Sequence, residues 1–122
     1  MKILIVDDYK TMLKIIGNLL KQIGFQHIDE ATDGTMALDK IKNNKYDLII
    51  SDWNMEPMSG LELLKNVRSD INFKTLPFIM VTAESKVENV VIAKQAGVTN
   101  YIVKPFNAQT LKSKISAIFG DF

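Results

Sequence analysis

Short apolar segments alternate with longer stretches of helical period along the whole chain. Strands are expected at Ile3–Val6, Ile28–Ala31, Leu48–Ser51, Phe78–Val81 and Tyr101–Val103. The third and fourth carry apolar residues on both faces, as central strands of a parallel sheet do. After the first strand, Met12, Ile16, Leu19, Leu20 and Ile23 form a stripe spaced by three and four residues. Gly24 follows as a residue able to take the left-handed turn that ends a helix. Asp33 can cap a second helix that buries Ala37, Leu38 and Ile41. Ser59-Gly60-Leu61-Glu62 is a capping box, with Met58 and Leu63 placed as a hydrophobic staple. Ser85-Lys86-Val87-Glu88 is a second capping box. Asn107 caps a last helix, stapled by Phe106 and Leu111 and buried along Leu111, Ile115 and Ile118. Five strand–helix units predict an α/β fold, (βα)5, with one parallel sheet, helices on both faces and right-handed crossovers.

Polar residues interrupt this pattern at one kind of place, the C-terminal ends of strands. Asp7 and Asp8 end the first segment, Asp52 the third, Thr82 the fourth and Lys104 the fifth. In a doubly wound sheet those ends lie along one rim, where ligands bind. Each residue alone has a simpler reading. Asp8 between a strand and a helix could serve only as an N-cap. Asp7 fits that role less well, because a second adjacent acid adds repulsion without capping benefit. Asp52 has no helix directly after it. Thr82 alone would read as a strand end, and Lys104 before Pro105 as a solvated loop. Taken together at four strand ends, the five residues describe a site.

The spacing Asp7-Asp8, Asp52, Thr82 and Lys104-Pro105-Phe106 resembles the phosphoacceptor site of response-regulator receiver domains over essentially the whole chain. Asp52-Trp53-Asn54-Met55, Met80-Val81-Thr82-Ala83-Glu84 and Tyr101-Ile102-Val103-Lys104-Pro105-Phe106 resemble the single-domain chemotaxis regulators of that family. The resemblance implies strand order 2-1-3-4-5 and a single receiver domain over residues 1–122 with no output domain. It implies that Asp52 accepts a phosphoryl group from a histidine kinase, giving an aspartyl phosphate. Clustered carboxylates attract a hard divalent cation, and oxygen-only ligands point to Mg²⁺. By resemblance Asp8, Asp52 and the Asn54 backbone carbonyl ligate it, with Asp7 acting through water. Lys104 would balance the phosphoryl charge, aimed inward by a cis Lys104–Pro105 bond, and Thr82 would donate its hydroxyl to a phosphoryl oxygen. Tyr101 would swing inward on activation, and Phe106 is either a staple or a partner contact. Asn54 and Glu84, each two positions after a site residue, would tune how long the phosphoryl group lasts. The chain would assist its own phosphorylation and dephosphorylation without being an enzyme.

Two features depart from that family's pattern. Proline usually stands four residues after the acceptor; here Glu56 stands there and Pro57 follows, which adds a fourth acid near the metal. On the face that docks a flagellar switch protein, Val87 is apolar and Lys112 basic where charges of other kinds are common. The expected target surface is nevertheless the fourth helix, fifth strand and fifth helix. A phosphatase acting on the phosphorylated chain is a further expected partner. Trp53 reads as a packing residue or a lid, and His27 as a surface loop residue.

Composition narrows the rivals. The 122 residues suit one domain with a sizeable core. A net charge of +1 supports neither a nucleic-acid surface nor a polybasic membrane patch. With no cysteine, disulfides and thiolate zinc sites are excluded. No stretch approaches the roughly 20 apolar residues that span a bilayer. A cytoplasmic monomer is expected. A receiver serving as a phosphate sink or relay shuttle would share the same site. A hydrolase with an aspartate nucleophile would place Asp-x-Asp after the first strand, which Asp7-Asp8-Tyr9-Lys10 does not supply. A flavin or nucleotide module would need a phosphate-cradling loop there instead of two aspartates.

Overall fold

The computed structural model describes residues 1–83 and 87–121. Five strands, β1 (Lys2–Val6), β2 (His27–Ala31), β3 (Leu48–Asp52), β4 (Phe78–Thr82) and β5 (Asn100–Val103), pair in parallel in the order β2-β1-β3-β4-β5. The helices are α1 (Lys10–Ile23), α2 (Gly34–Asn43), α3 (Gly60–Ser69), α4 (Val87–Gln95) and α5 (Ala108–Phe119). A 3₁₀ turn at Ile71–Phe73, which the sequence pattern does not announce, precedes β4.

The pleat divides the core into two layers. Ile3 and Ile5 of β1 point to one face with Leu48, Ile50, Ile79 and Val81, where α1 and α5 cover them through Leu13, Ile16, Leu20, Leu111 and Ile115. Leu4 and Val6 point to the other face with Ile49, Phe78 and Met80, where α2 and α3 lie on top through Ala37, Ile41, Leu63, Leu64 and Val67. Because β1, β3 and β4 are central, each buries both sets of side chains. Parallel strands covered on both faces need no polar alternation, which is why they read as unbroken apolar runs.

Several expectations need correction. The stripe of α1 is centred on Leu13, Ile16, Gly17 and Leu20, while Met12, Leu19 and Ile23 sit at its edges. His27 is the first residue of β2, not a loop residue, and is exposed because β2 is an edge strand. Strands β3 and β4 reach one residue further than expected, so Asp52 and Thr82 are themselves strand residues. Asp8 caps nothing: the N-cap of α1 is Tyr9, which makes no side-chain cap bond.

The expected caps elsewhere form. Asp33, Ser59 and Asn107 each accept a backbone N–H of the first helical turn, and Glu62 completes the capping box. Gly24 ends α1 at φ 119°, in the left-handed region expected of it. The Ser85 capping box, like Glu84, lies outside the described residues. No helix among the described residues is long and apolar enough to cross a membrane.

Candidate functional site

Backbone pairing holds the strand ends level. Asp7 N–H donates to Ala31 O at 3.1 Å, Trp53 N–H to Val81 O at 3.0 Å and Lys104 N–H to Thr82 O at 2.8 Å. These bonds continue the ladders one residue past the strands and set Asp7, Asp52, Thr82 and Lys104 along one rim. Asp7, Asp52 and Thr82 are buried, whereas Asp8 is exposed.

Carboxylate oxygens of Asp7, Asp8 and Asp52 lie within 4.8 Å of one another. Lys104 Nζ donates to Asp52 Oδ1 at 2.9 Å and stands 3.7 Å from Asp7 Oδ2. The other Asp7 oxygen, Oδ1, accepts Tyr9 N–H at 2.9 Å, which fixes its carboxyl plane at the start of α1. Asp7 Oδ2 is buried with no hydrogen-bond donor. Three carboxylates facing one ammonium leave two negative charges among the described residues of the site. Burial pushes the Asp7 carboxyl above the ordinary carboxylate value, and the nearby Asp52 adds to the rise against the Tyr9 N–H and Lys104. Burial likewise raises Asp52, although its hydrogen bond to Lys104 pulls the other way. Such a group of oxygens fits a hard divalent cation, which would supply the missing partner of Asp7 Oδ2.

The loop from Trp53 to Ser59 is closed by Gly60 N–H donating to Trp53 O at 2.8 Å. Gly60 is more than a member of the capping box: its α-carbon lies against the Asp52 backbone. A Cβ at that position would overlap the Asp52 carbonyl oxygen. The only signal in the sequence is a glycine at the first position of a helix, too common to single out. Buried Ser51 is a second missed residue; its Oγ donates to the same Asp52 carbonyl at 3.0 Å.

The other expected residues fall around this centre. Trp53 is half-buried against the α2–α3 core layer and also lines a pocket with Asp8, Asn54, Met55, Glu56 and Ser59. Exposed Asn54 is thereby placed beside the acids. Tyr101 on β5 is half-buried and packs on the same core layer. Phe106 packs on the opposite layer with Leu111, as the staple reading requires. The Lys104–Pro105 peptide is cis as expected, and so is Glu56–Pro57.

The response regulator receiver domain profile matches residues 3–116. The chain belongs to this family. Among curated relatives, this receiver is 53% identical over 119 residues to chemotaxis protein CheY-3 of Vibrio cholerae, covering 98% of this chain and 92% of that one. Chemotaxis protein CheY of Pseudomonas aeruginosa is also 53% identical over 119 residues, with 98% and 96% coverage. The crystal structure of Vibrio cholerae chemotaxis protein CheY4 superposes with a TM-score of 0.89 at 36% identity, over 96% of this chain and 97% of that one. The receiver domain of a Pseudomonas aeruginosa sensor histidine kinase, PA1611, superposes with a TM-score of 0.88 at 25% identity, over 98% of each chain. That structure has a magnesium ion coordinated in its active-site cleft. The receiver is thus a two-component signalling protein and not an enzyme of the ordinary kind.

Proposed function

We propose that the protein is a phosphorylation-activated switch of the chemotaxis type. Asp52 takes a phosphoryl group from the phosphohistidine of a histidine kinase and thereby alters binding of a protein target. The observation that carries this reading is the seat of Asp52: a buried strand-end carboxylate held by Lys104 Nζ at 2.9 Å and flanked by two further acids. A surface ion pair would not need the extra acids, and a structural core would not keep Asp7 Oδ2 buried without a donor.

In the transfer, a carboxylate oxygen of Asp52 bonds to phosphorus while the P–N bond of phosphohistidine breaks and the imidazole leaves. Held by Asp7, Asp8, Asp52 and the Asn54 carbonyl, Mg²⁺ would neutralise charge on the incoming phosphoryl group. Lys104 is already seated on Asp52 and can follow the phosphoryl oxygen as a point charge. Thr82, at the end of the neighbouring strand, supplies a hydroxyl donor. The chain in this way assists both its own phosphorylation and the later hydrolysis, in which Asn54 and Glu84 set the lifetime. Glu84 lies outside the described residues.

The output face is α4, β5 and α5. On it Val87 is 74% exposed, Val91 44% and Val103 36%, so apolar contact area is on offer to a partner helix. Ala93 is the one buried residue of α4 among the described residues, which ties that helix loosely to the core. Tyr101 and Phe106 flank this face and would relay the state of Asp52 to it. The target we infer is a flagellar switch protein, with a phosphatase as a further partner and a cytoplasmic monomer as the working form; the relatives' names support chemotaxis as the setting. Residues 1–122 act as one receiver domain.

Activation by beryllofluoride, an acyl-phosphate mimic, should tighten binding of a flagellar-switch peptide by roughly 5–150-fold, the usual range of coupling between two sites. Thr82→Ala should reduce that factor while leaving phosphorylation in place. Equal affinities with and without beryllofluoride would refute the switch and favour a phosphate sink or relay shuttle.

A further inference from the structure

We propose that Glu56 is an outer acid of the cation site, raising its affinity for a divalent cation without being a direct ligand. The inference rests on the reading of Asp7, Asp8 and Asp52 as that site. Two observations carry it. Glu56 and Asp8 line one pocket of about 350 Å³, whose remaining walls are Trp53, Asn54, Met55 and Ser59. The pocket therefore meets the acidic cluster at its exposed member, Asp8, and exposed Glu56 shares that wall. Independently, Asp7 Oδ2 is buried without a hydrogen-bond donor in the same cluster, which marks a position that a cation or its water completes.

The geometry sets how Glu56 acts. A space of that volume is about 9 Å across, close to the physiological Debye length. Glu56 is exposed and shares this space with Asp8, so it is placed to meet a hydrated cation through water and through charge. The loop that carries it is pinned at both ends, by Trp53 N–H on Val81 O and Gly60 N–H on Trp53 O. Met55, immediately before it, is buried in the core layer. The position of Glu56 on the rim is thus set by the same anchored segment that presents Asn54. For one charge acting on a dication across such a water-filled gap, the effect is about threefold in affinity at about 10 mM ionic strength. It falls below about twofold at about 0.15 M.

Magnesium titrations of the full chain test this, with Trp53 fluorescence and calorimetry as parallel readouts of the dissociation constant. Glu56→Gln should weaken Mg²⁺ binding about threefold at low ionic strength, and added inert salt should shrink the difference. Glu56→Lys should weaken it by about the square of that factor. Asp8→Asn should remove most of the binding. If Glu56→Gln binds Mg²⁺ as tightly as the unmodified chain at low salt while Asp8→Asn loses it, the role of Glu56 is refuted and the acid-cluster reading stands. A weakening that salt leaves unchanged would equally overturn the inference, since it would reflect a distorted loop. Absence of saturable Mg²⁺ binding in the unmodified chain would remove the underlying reading itself.

Discussion

Replacing Asp7 with asparagine should stabilise the protein at neutral pH when divalent cations are absent. Asp7 Oδ2 is 3.7 Å from Lys104 Nζ, and the acidic oxygens of the cluster lie within 4.8 Å of one another. At an effective dielectric constant of about 20, the attraction is about 4–5 kcal/mol and the repulsion from Asp52 about 3–4 kcal/mol; exposed Asp8 adds to the repulsion, so Lys104 does not outweigh the acids. What remains is the cost of burying Oδ2 without a donor, about 1–2 kcal/mol. An asparagine keeps an oxygen for Tyr9 N–H and turns an N–H toward the acids instead. The melting temperature should rise by roughly 3–10 °C in EDTA at about pH 7.

The gain should depend on pH in a defined direction. Burial raises the Asp7 carboxyl above 3.8 in the folded chain. The folded state therefore holds this proton more tightly than the unfolded state. The penalty is full above the folded value and disappears as pH falls toward 3.8. Saturating Mg²⁺ should also close the gap, because a ligand at ten times its dissociation constant adds about 1.4 kcal/mol to the form that binds it. Thermal melts by circular dichroism at two pH values, with and without Mg²⁺, measure all of this. A destabilised Asp7→Asn variant in EDTA, or a gain that persists at acid pH, would refute the reasoning.

Gly60→Ala should cost roughly 2–3 kcal/mol in a urea melt, because its methyl group overlaps the Asp52 carbonyl and must push either the strand or α3 aside. It should also weaken Mg²⁺ binding, whereas Ser59→Ala, which removes only the cap, should lower stability by about 1 kcal/mol and leave the metal site intact. Arg68→Ala should destabilise by about 2–3 kcal/mol in the same assay. Its guanidinium, which burial draws below the ordinary value, donates to Gly97 O, Phe73 O and Thr99 Oγ1, tying α3 to the end of α4 and the start of β5.

How far the sequence reveals this structure depends on which interactions are local. Strand cores and helix caps are visible because apolar runs and capping residues act over a few positions; Asp33, Ser59 and Asn107 all cap as their spacing indicates. The start of α1 is hidden, because Tyr9 is no recognisable cap and Asp7 acts on its N–H from outside the helix. The acids, Thr82 and Lys104 are legible as a set, since a parallel sheet brings its strand ends to one rim whatever the details. The contact of Gly60 with Asp52 and the three bonds of Arg68 are not legible. They join different elements, mostly through backbone carbonyls, which no residue type announces. Glu56 is intermediate: its charge is plain in the sequence, but only the fold puts it on the same pocket as Asp8.

Whether Asp52 is the phosphoacceptor is decided by phosphorylation with acetyl phosphate and Mg²⁺ followed by intact-mass and peptide analysis. A single phosphoryl group, dependent on Mg²⁺, should appear on the peptide containing Asp52, with no label in Asp52→Asn. Label at an undiminished level in that variant, or on a peptide that lacks residue 52, would contradict that assignment.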